Sequence, residues 1–367
     1  MTNNFQVRML SEKERDKSLG LMKSVFEEQK MEKLSDLDKQ FWEWQNLNHP
    51  AGSSKIWIIE NDDKELIAQM INSPVQLYID GKIFNGGITI DLLVKKEYRR
   101  HGFFKKMGQQ AIKDLEKICM DFQITFPRRE NVHEGFVKRL NWTKIGDLPF
   151  LVKPINLDGI IKSKLGDNAF TKSIAWTFKK GDEFKKLARI KKREPKYNFQ
   201  FLDRFPDSTD EIWHAFRRSC RIAVVRNKRY LDWRYIEKPN GNYSILGIFN
   251  KNQLLGFAVL KAKTIMSMHV GFIVDIMTIP QKDIIKALIN EVMHYFNDEK
   301  MDLCGCIITR NNLFFNSLRQ SGFYYIPVRI NPRNYILDGY LKENEIDKSA
   351  FSNINNWFIT ISDWDII

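Results

Sequence analysis

Within the stretch DLLVKKEYRRHGFFKKM, Asp91 to Met107, a strand-like apolar run ends in Arg99 and Arg100, passes one glycine at position 102, and enters a helix that begins with Lys105 and Lys106 in its first turn. A strand that turns into a helix points the helix's first unbonded backbone N–H groups beyond the strand end, and these donors with the helix dipole make an anion site. Gly102 lets a phosphate approach the backbone with no Cβ in the way, and the four cations raise the local potential. The chemistry implied is retention of a phosphate or pyrophosphate. A solvated helix start after an ordinary strand is the alternative. No GxxxxGK[ST] and no GxGxxG occurs, which excludes a Walker loop and a dinucleotide fingerprint.

Such a loop needs a strand before it and a helix after it. GGITIDLLV reads as a buried strand, and Gly102 to Cys119 as a helix with Phe104, Met107, Ala111, Leu115 and Ile118 on one stripe. DFQITF follows as a short strand, which a right-handed crossover sets parallel to ITIDLLV. Upstream, FQVRM is a strand leading into SEKE, where Ser11 and Glu14 have capping-box spacing before a helix. KIWIIENDDKELIAQM reads as one hairpin and VQLYIDGKIF as another, the second with the Asp-Gly pair that favours a tight reversal.

The plan is then repeated. FWEWQNLNHPAG is echoed by YLDWRYIEKPNG, each is followed by a hairpin, TIDLLV with Asp91 is matched by IVDIMT with Asp275, and ENVHEGFVKRLNW and NNLFFNSLRQSGF both place an Asn eleven residues before an aromatic. Four matches in one order argue for duplication, and 367 residues suffice for two domains with their own cores. We place the first domain at 1–154, a basic helical connector at 155–196 and the second domain at 197–367. In the second copy Asp275 is followed by IMTIPQKDII, with neither glycine nor arginine before the helix, so the phosphate cradle is lost there. Trp213, Trp233, Tyr324 and Tyr325 of that copy are expected to supply core and a wall of an acceptor cleft between the domains, core alone being the reading for most of them.

The formal charge of +13, with lysines crowded in FKKGDEFKKLARIKKREPK, attracts polyanions or simply solvates a helix face. No apolar window reaches the roughly 20 residues of a membrane span, and MTNNFQVRMLSEKERD does not read as a signal peptide. A cytoplasmic protein is expected. None of the six histidines lies in an HxxxH or CxxC context, so no metal is expected, and the four cysteines read as buried thiols.

The opening stretch resembles the acyl-CoA pyrophosphate loop of the GCN5-related N-acetyltransferases (GNAT), whose pattern is Arg or Gln, two residues, Gly, one residue, then Gly or Ala. Arg99, Gly102 and Phe104 take those places, Phe104 standing where the pattern has a small residue. ENVHEGFVKRLNW is similar to the family's later Asn-helix segment, with Asn131, Leu140, Asn141 and Trp142 on matching positions. Through the repeat the resemblance extends to both copies. It implies an α/β (α+β) protein of two tandem GNAT folds, each a mixed, mostly antiparallel sheet flanked by helices.

The resemblance also implies a donor site. The pantetheine arm of acetyl-CoA would lie between Leu92, Leu93 and Val94 of one strand and Ile124 to Phe126 of the next. The pyrophosphate would meet the amides of Arg100, His101, Gly102, Phe103 and Phe104, with Arg99, Lys105 and Asn131 beside it. Amide formation needs a neutral amine, and an amine with a pKa of about 10.4 is only about one part in a thousand neutral at pH 7. Asp91 lies where family members often carry an acid facing the substrate, and Glu130 and His133 lie near the end of the next strand; Asp91 serves equally well as a structural carboxylate, and Glu130 and His133 as a solvated helix start. Members often place a tyrosine on the later helix to protonate the leaving thiolate, but that slot is Val137 here, and Tyr98 belongs to the loop. The expected activity is acetyl-CoA-dependent N-acetyl transfer to the primary amine of a small molecule, such as an amino sugar or sugar nucleotide. A non-catalytic module binding acyl-CoA or nucleic acid is the rival reading, and a tandem-fold transferase using aminoacyl-tRNA a further one. The acyl-CoA loop argues for a small-molecule acceptor over nucleic acid, and nothing sets the oligomeric state.

Overall fold

The computed structural model describes residues 5–28, 38–156, 196–265, 267–327, 335–343 and 345–364. Residues 157–195, nearly all of the expected basic connector, lie outside the described residues. By internal contact the chain divides into two compact units: Met1–Ile145 with Glu237–Gly241 and Leu337–Ser352, and Gly146–Ile236 with Asn242–Ile336 and Asn353–Ile367.

In the first unit the strands are β1 (Val7–Met9), β2 (Lys55–Glu60), β3 (Leu66–Ile79), β4 (Lys82–Val94), β5 (Phe122–Thr125) and β6 (Thr143–Asp147). The helices are α1 (Arg15–Glu28), α2 (Lys39–Asn46), α3 (Phe103–Asp114) and α4 (Glu130–Glu134). Ser11 and Glu14 close a capping box just ahead of α1, and the Asp38 carboxylate accepts from Phe41 N at the start of α2. The runs LIAQM and VQLYI, expected in separate hairpins, form one fourteen-residue strand, β3. Pro74 is tolerated inside it opposite Gly87. The turn to β4 is Asp80–Gly81, both at positive φ (45° and 97°), as a tight hairpin of the strands' own twist requires.

Two apolar faces cover this sheet. Leu21, Met22 and Val25 of α1 and Trp42 of α2 pack on Ile56, Ile58, Ile71 and Leu93. On the opposite face Phe103, Met107 and Ala111 of α3 pack on Trp57, Ile59, Ala68 and Met70. Asp114 falls on this buried stripe because its Oδ2 accepts from Trp57 Nε1 at 2.9 Å. The helix ends there, earlier than the expected Cys119. The segment after α4 closes on α3 at Gly108, where a Cβ would come within 2.3 Å of Leu140 Cδ1.

The second unit repeats the plan with β7 (Phe150–Pro154), β8 (Asn198–Phe201), β9 (Ile222–Val224), β10 (Ser244–Asn250), β11 (Gln253–Ile265), β12 (Met268–Thr278), β13 (Leu303–Ile307) and β14 (Tyr324–Ile326). Its helices include α5 (Thr209–Arg217), α6 (Lys228–Leu231), α7 (Lys282–Asp298) and α8 (Leu313–Gln320). The sheet order is β14-β7-β13-β12-β11-β10-β8. Late in the chain β15 (Ile336–Leu341) pairs in the first sheet, whose order is β1-β2-β3-β4-β5-β15-β6, and β16 (Trp357–Phe358) runs parallel to β9. The central parallel pair is β4 with β5 in one sheet and β12 with β13 in the other. The slot beside it is taken by β15 in the first sheet and β7 in the second, each antiparallel to its neighbour. A strand late in the chain thus lies next to β5, and a strand that ends at residue 154 ladders with β13. The duplicated helix starts carry matching caps, Asp38 and Asn227. Trp213 and Trp233 are buried, while Tyr324 and Tyr325 are half-buried.

Candidate active site

The parallel ladder of β4 with β5 is short. Gly86, Gly87 and Ile88 pair with Phe122, Gln123 and Ile124, and there the ladder ends. Just past it the Thr125 hydroxyl donates to Thr89 O at 3.0 Å, tying the strands where backbone pairing stops. Further along β4 a bulge intervenes: Ile90 faces Ile71 and Leu93 faces Gln69, so Asp91 and Leu92 together oppose Met70. Asp91 takes φ +44°, a left-handed conformation that an Asp tolerates better than most residues. This kink turns the half-buried carboxylate toward α2, where Gln45 Nε2 donates to Oδ2 at 3.3 Å. Leu92 and Val94 pack toward α3, and Leu93 toward α1 and α2.

Beyond β4 the chain makes a turn of helix over Lys96–Tyr98 and enters α3 through Arg100 (φ +69°) and Gly102 (φ +76°). Lys106 N bonds to Gly102 O, so the N–H groups of Phe103, Phe104 and Lys105 have no acceptor within the helix. A Cβ on Gly102 would meet no atom within 4 Å, which leaves open ground in front of these donors. Arg99, Arg100, Lys105 and Lys106 are exposed around it. Arg99 also holds the loop, its Nε donating to Val94 O at 3.3 Å and Nη2 reaching Glu28 at 3.5 Å. His101 acts within the loop as well: Nδ1 lies 3.0 and 3.1 Å from the carbonyls of Tyr98 and Arg99, which only accept, so that nitrogen is assigned the proton. Phe103 is buried against Phe5, with ring centroids 5.0 Å apart, and anchors the helix start. Tyr98 accepts from Asn61 Nδ2 at 3.3 Å.

Phe104, the departure from the loop pattern, is accommodated away from the cradle. Its ring stands edge-on to Phe136 at 5.1 Å and lies over Gly135, where an added Cβ would come within 3.1 Å of it. A small residue across the α3–α4 contact thus makes room for a large one. Open N–H groups, flanking cations and vacant space together fit an acyl-CoA pyrophosphate, which the backbone of 103–105 with Arg100, Lys105 and Lys106 would hold.

Of the remaining candidates, Glu130 and Asn131 are exposed at the start of α4, and Phe126 is half-buried after β5. His133 is paired: its Nδ1 lies 2.8 and 2.9 Å from the two carboxylate oxygens of Asp338, a fully buried residue of β15. Burial pushes the Asp338 carboxyl up to about 6, with the hydrogen bond from His133 pulling the other way. The structure therefore groups Arg99–Lys105 at one helix start, Asp91 with Gln45 on the α2 side, and His133 with Asp338 beside β5. Gln45 and Asp338 were not singled out from sequence. Gln45 sits in the repeated FWEWQ segment, which marks it; Asp338 has no local signal, because its partner is 205 residues away.

In the second unit the corresponding places are closed. The β12–β13 ladder ends at Ile273 and Cys306, and past it Ile308 bridges Thr360 of the chain's own tail. Asp275, the counterpart of Asp91, is fully buried, accepting from Arg226 Nε at 3.1 Å, Tyr235 Oη at 2.9 Å and Thr360 Oγ1 at 3.0 Å. Helix α7 starts at Lys282 after Gln281, with no glycine before it. Burial pushes the Cys304 and Cys306 thiols up, as suits inert core groups. Among the described residues no cluster of His, Cys, Asp or Glu could hold a metal ion, and no helix is long and apolar enough to cross a membrane.

The sequence model of the acetyltransferase (GNAT) domain matches residues 6–145. Among solved structures the chain is similar to a protein of Enterococcus faecalis V583 described as a probable N-acyltransferase, at 12% identity over 92% of this chain and 72% of that one, with a TM-score of 0.61. It is also similar to a GCN5-related N-acetyltransferase from Anabaena variabilis ATCC 29413 (7% identity, 92% and 73% covered, TM-score 0.62). A third is Saccharomyces cerevisiae N-myristoyltransferase with bound myristoyl-CoA (11%, 93% and 80%, TM-score 0.56). At these identities the likeness is one of fold. No curated protein sequence matches the chain. The domain match covers residues 6–145, within the first unit, and over the rest of the chain the likeness to these structures is one of fold.

Proposed function

We propose that the first unit transfers an acetyl group from acetyl-CoA to the primary amine of a small molecule. The observation that carries this reading is the start of α3, where Gly102 at φ +76° leaves open space before three unbonded N–H groups amid exposed cations. When bound, acetyl-CoA supplies the activated thioester carbonyl. The α3 N-terminus holds its phosphates, and the short β4–β5 ladder leaves the end of β4 without a strand partner on that side. Asp91, turned out at the bulge and oriented by Gln45, takes the proton from the acceptor ammonium, without which only about one amine in a thousand is nucleophilic at pH 7.

The test is acetyl-CoA turnover, followed as thiol release over a panel of amines, amino sugars and sugar nucleotides, with acetyl-CoA affinity measured by calorimetry. Asp91→Asn is expected to lower kcat by about 10²-fold or more while leaving acetyl-CoA affinity unchanged. A wild-type chain that does not bind acetyl-CoA, or an Asp91→Asn chain as active as wild type, overturns the corresponding assignment.

A further inference from the structure

We propose that His133 and Asp338 form a proton-donating couple for the thiolate released by acyl transfer, with His133 the donor and Asp338 its positioning residue; this rests on the acetyl-transfer reading above. An ionised carboxylate only accepts, so the Nδ1 that lies 2.8 and 2.9 Å from Asp338 carries the proton, and Nε2 is left for proton exchange. The burial is graded in the same sense. The Asp338 side chain is 0% exposed and the His133 side chain 12%, so the fixed member is inside and the exchanging ring reaches the surface.

The couple stands at the level where the strands part. Asp338 pairs with Thr125 across β15 and β5, and the Thr125 hydroxyl reaches Thr89 O on β4, one residue beyond the last β4–β5 pair. Tyr340, two residues along β15 on the same face as Asp338, packs on Trp142 in the cluster of Phe136, Leu140 and Trp142 that Phe104 of α3 also joins, so the couple lies on the α3 face that also carries the cradle. The bulge turns Asp91 to the opposite face, toward α2. One acid–base group therefore serves each face of the open end of β4.

The two faces match the two proton movements of the reaction. Asp91 first takes the ammonium proton and releases it to solvent; the neutral amine nitrogen then bonds to the thioester carbonyl carbon and gives its second proton to Asp91. The C–S bond breaks, its electron pair goes to sulfur, and the imidazolium Nε2 proton follows it. His133 is then neutral, still donating from Nδ1 to Asp338, and is reprotonated from solvent. The charged groups facing the couple are Glu130 and Glu134 from α4 and Lys144 from β6. Because burial holds Asp338 near 6, the carboxylate is ionised above that pH and accepts from Nδ1–H.

The experiment measures kcat against pH with the best acceptor, acetyl-CoA affinity by calorimetry, and the 15N shifts of the His133 ring in the full chain. His133→Gln is expected to lower kcat by about 10²-fold with unchanged acetyl-CoA affinity, and to remove the alkaline fall of the wild-type profile. Asp338→Asn, which keeps the ring, is expected to move that fall to lower pH and lower kcat by roughly tenfold or more. In wild type the ring nitrogens should report the Nδ1–H tautomer. An unchanged pH profile in His133→Gln, or an Nε2–H tautomer, overturns the couple alone. A wild-type chain that binds no acetyl-CoA overturns the reading beneath it.

Discussion

Gly102→Val is expected to weaken acetyl-CoA binding by about 100-fold or more, and Gly102→Val with Arg100→Ala to bring it below detection. A β-branched residue at φ +76° is strained by about 1–3 kcal/mol. The strain is relieved by rotating the peptide that starts α3, which re-aims the N–H groups of 103–105. The new side chain also enters space in which no protein atom lies within 4 Å, the ground a phosphate would occupy. Losing two charge-assisted bonds at about 1.5–3 kcal/mol each is more than enough for a hundredfold effect. Arg100→Ala alone removes one exposed cation and should cost far less. Calorimetric titration with acetyl-CoA reads the affinity, and far-UV circular dichroism checks that α3, anchored by buried Phe103, Met107 and Ala111, remains folded. Unchanged affinity in a folded double variant would mean that the phosphate lies elsewhere.

The backbone of this helix start was legible in sequence because every part of it is local. Strand, turn, positive-φ glycine and helix follow within Asp91–Met107, and the types of the residues nearly dictate the backbone. The repeat was legible for a similar reason, since caps and aromatic spacing recur at fixed offsets. The couple at His133 was only half visible. Its partner Asp338 arrives on β15, and which distant strand takes the slot beside β5 is decided by sheet pairing rather than by local pattern. The orientation of Asp91 was equally hidden, since TIDLLV reads as plain alternation until a bulge opposite Met70 reverses one side chain. Phe104 looked like a defect in the loop because its compensation, the bare Gly135, lies 31 residues on in α4's continuation. The loss of a cradle in the second copy could be read from IMTIPQKDII; that the tail fills the neighbouring space could not.

That tail is held by Arg226, and Arg226→Met is expected to destabilise the second unit by about 3–5 kcal/mol. The guanidinium is 0% exposed, donates from Nε to Asp275 at 3.1 Å and from Nη2 to Asp363 at 2.8 Å, and lies 5.1 Å from the centre of the Phe358 ring. It also donates to Val224 O and to the Thr360 hydroxyl. Methionine fills the volume yet leaves two buried carboxylates facing each other with no cation, and burial already pushes the Asp363 carboxyl up with Arg226 in place. In the variant the Asp363 carboxyl, already raised by burial, loses the cation that opposes that shift, so the stability it forfeits is recovered below the unfolded carboxylate range and lost as pH rises. The deficit should therefore be largest at neutral pH and shrink toward pH 4. Urea-denaturation midpoints of the full chain at several pH values measure this. Replacing Arg226, Asp275 and Asp363 together by Met, Leu and Leu should restore most of the loss, because an apolar core leaves no charge uncompensated. Restoration would show that Asp275 serves packing of the tail, in contrast to its counterpart Asp91. A deficit of under about 1 kcal/mol in Arg226→Met would place the network in the range of exposed ion pairs and contradict its burial.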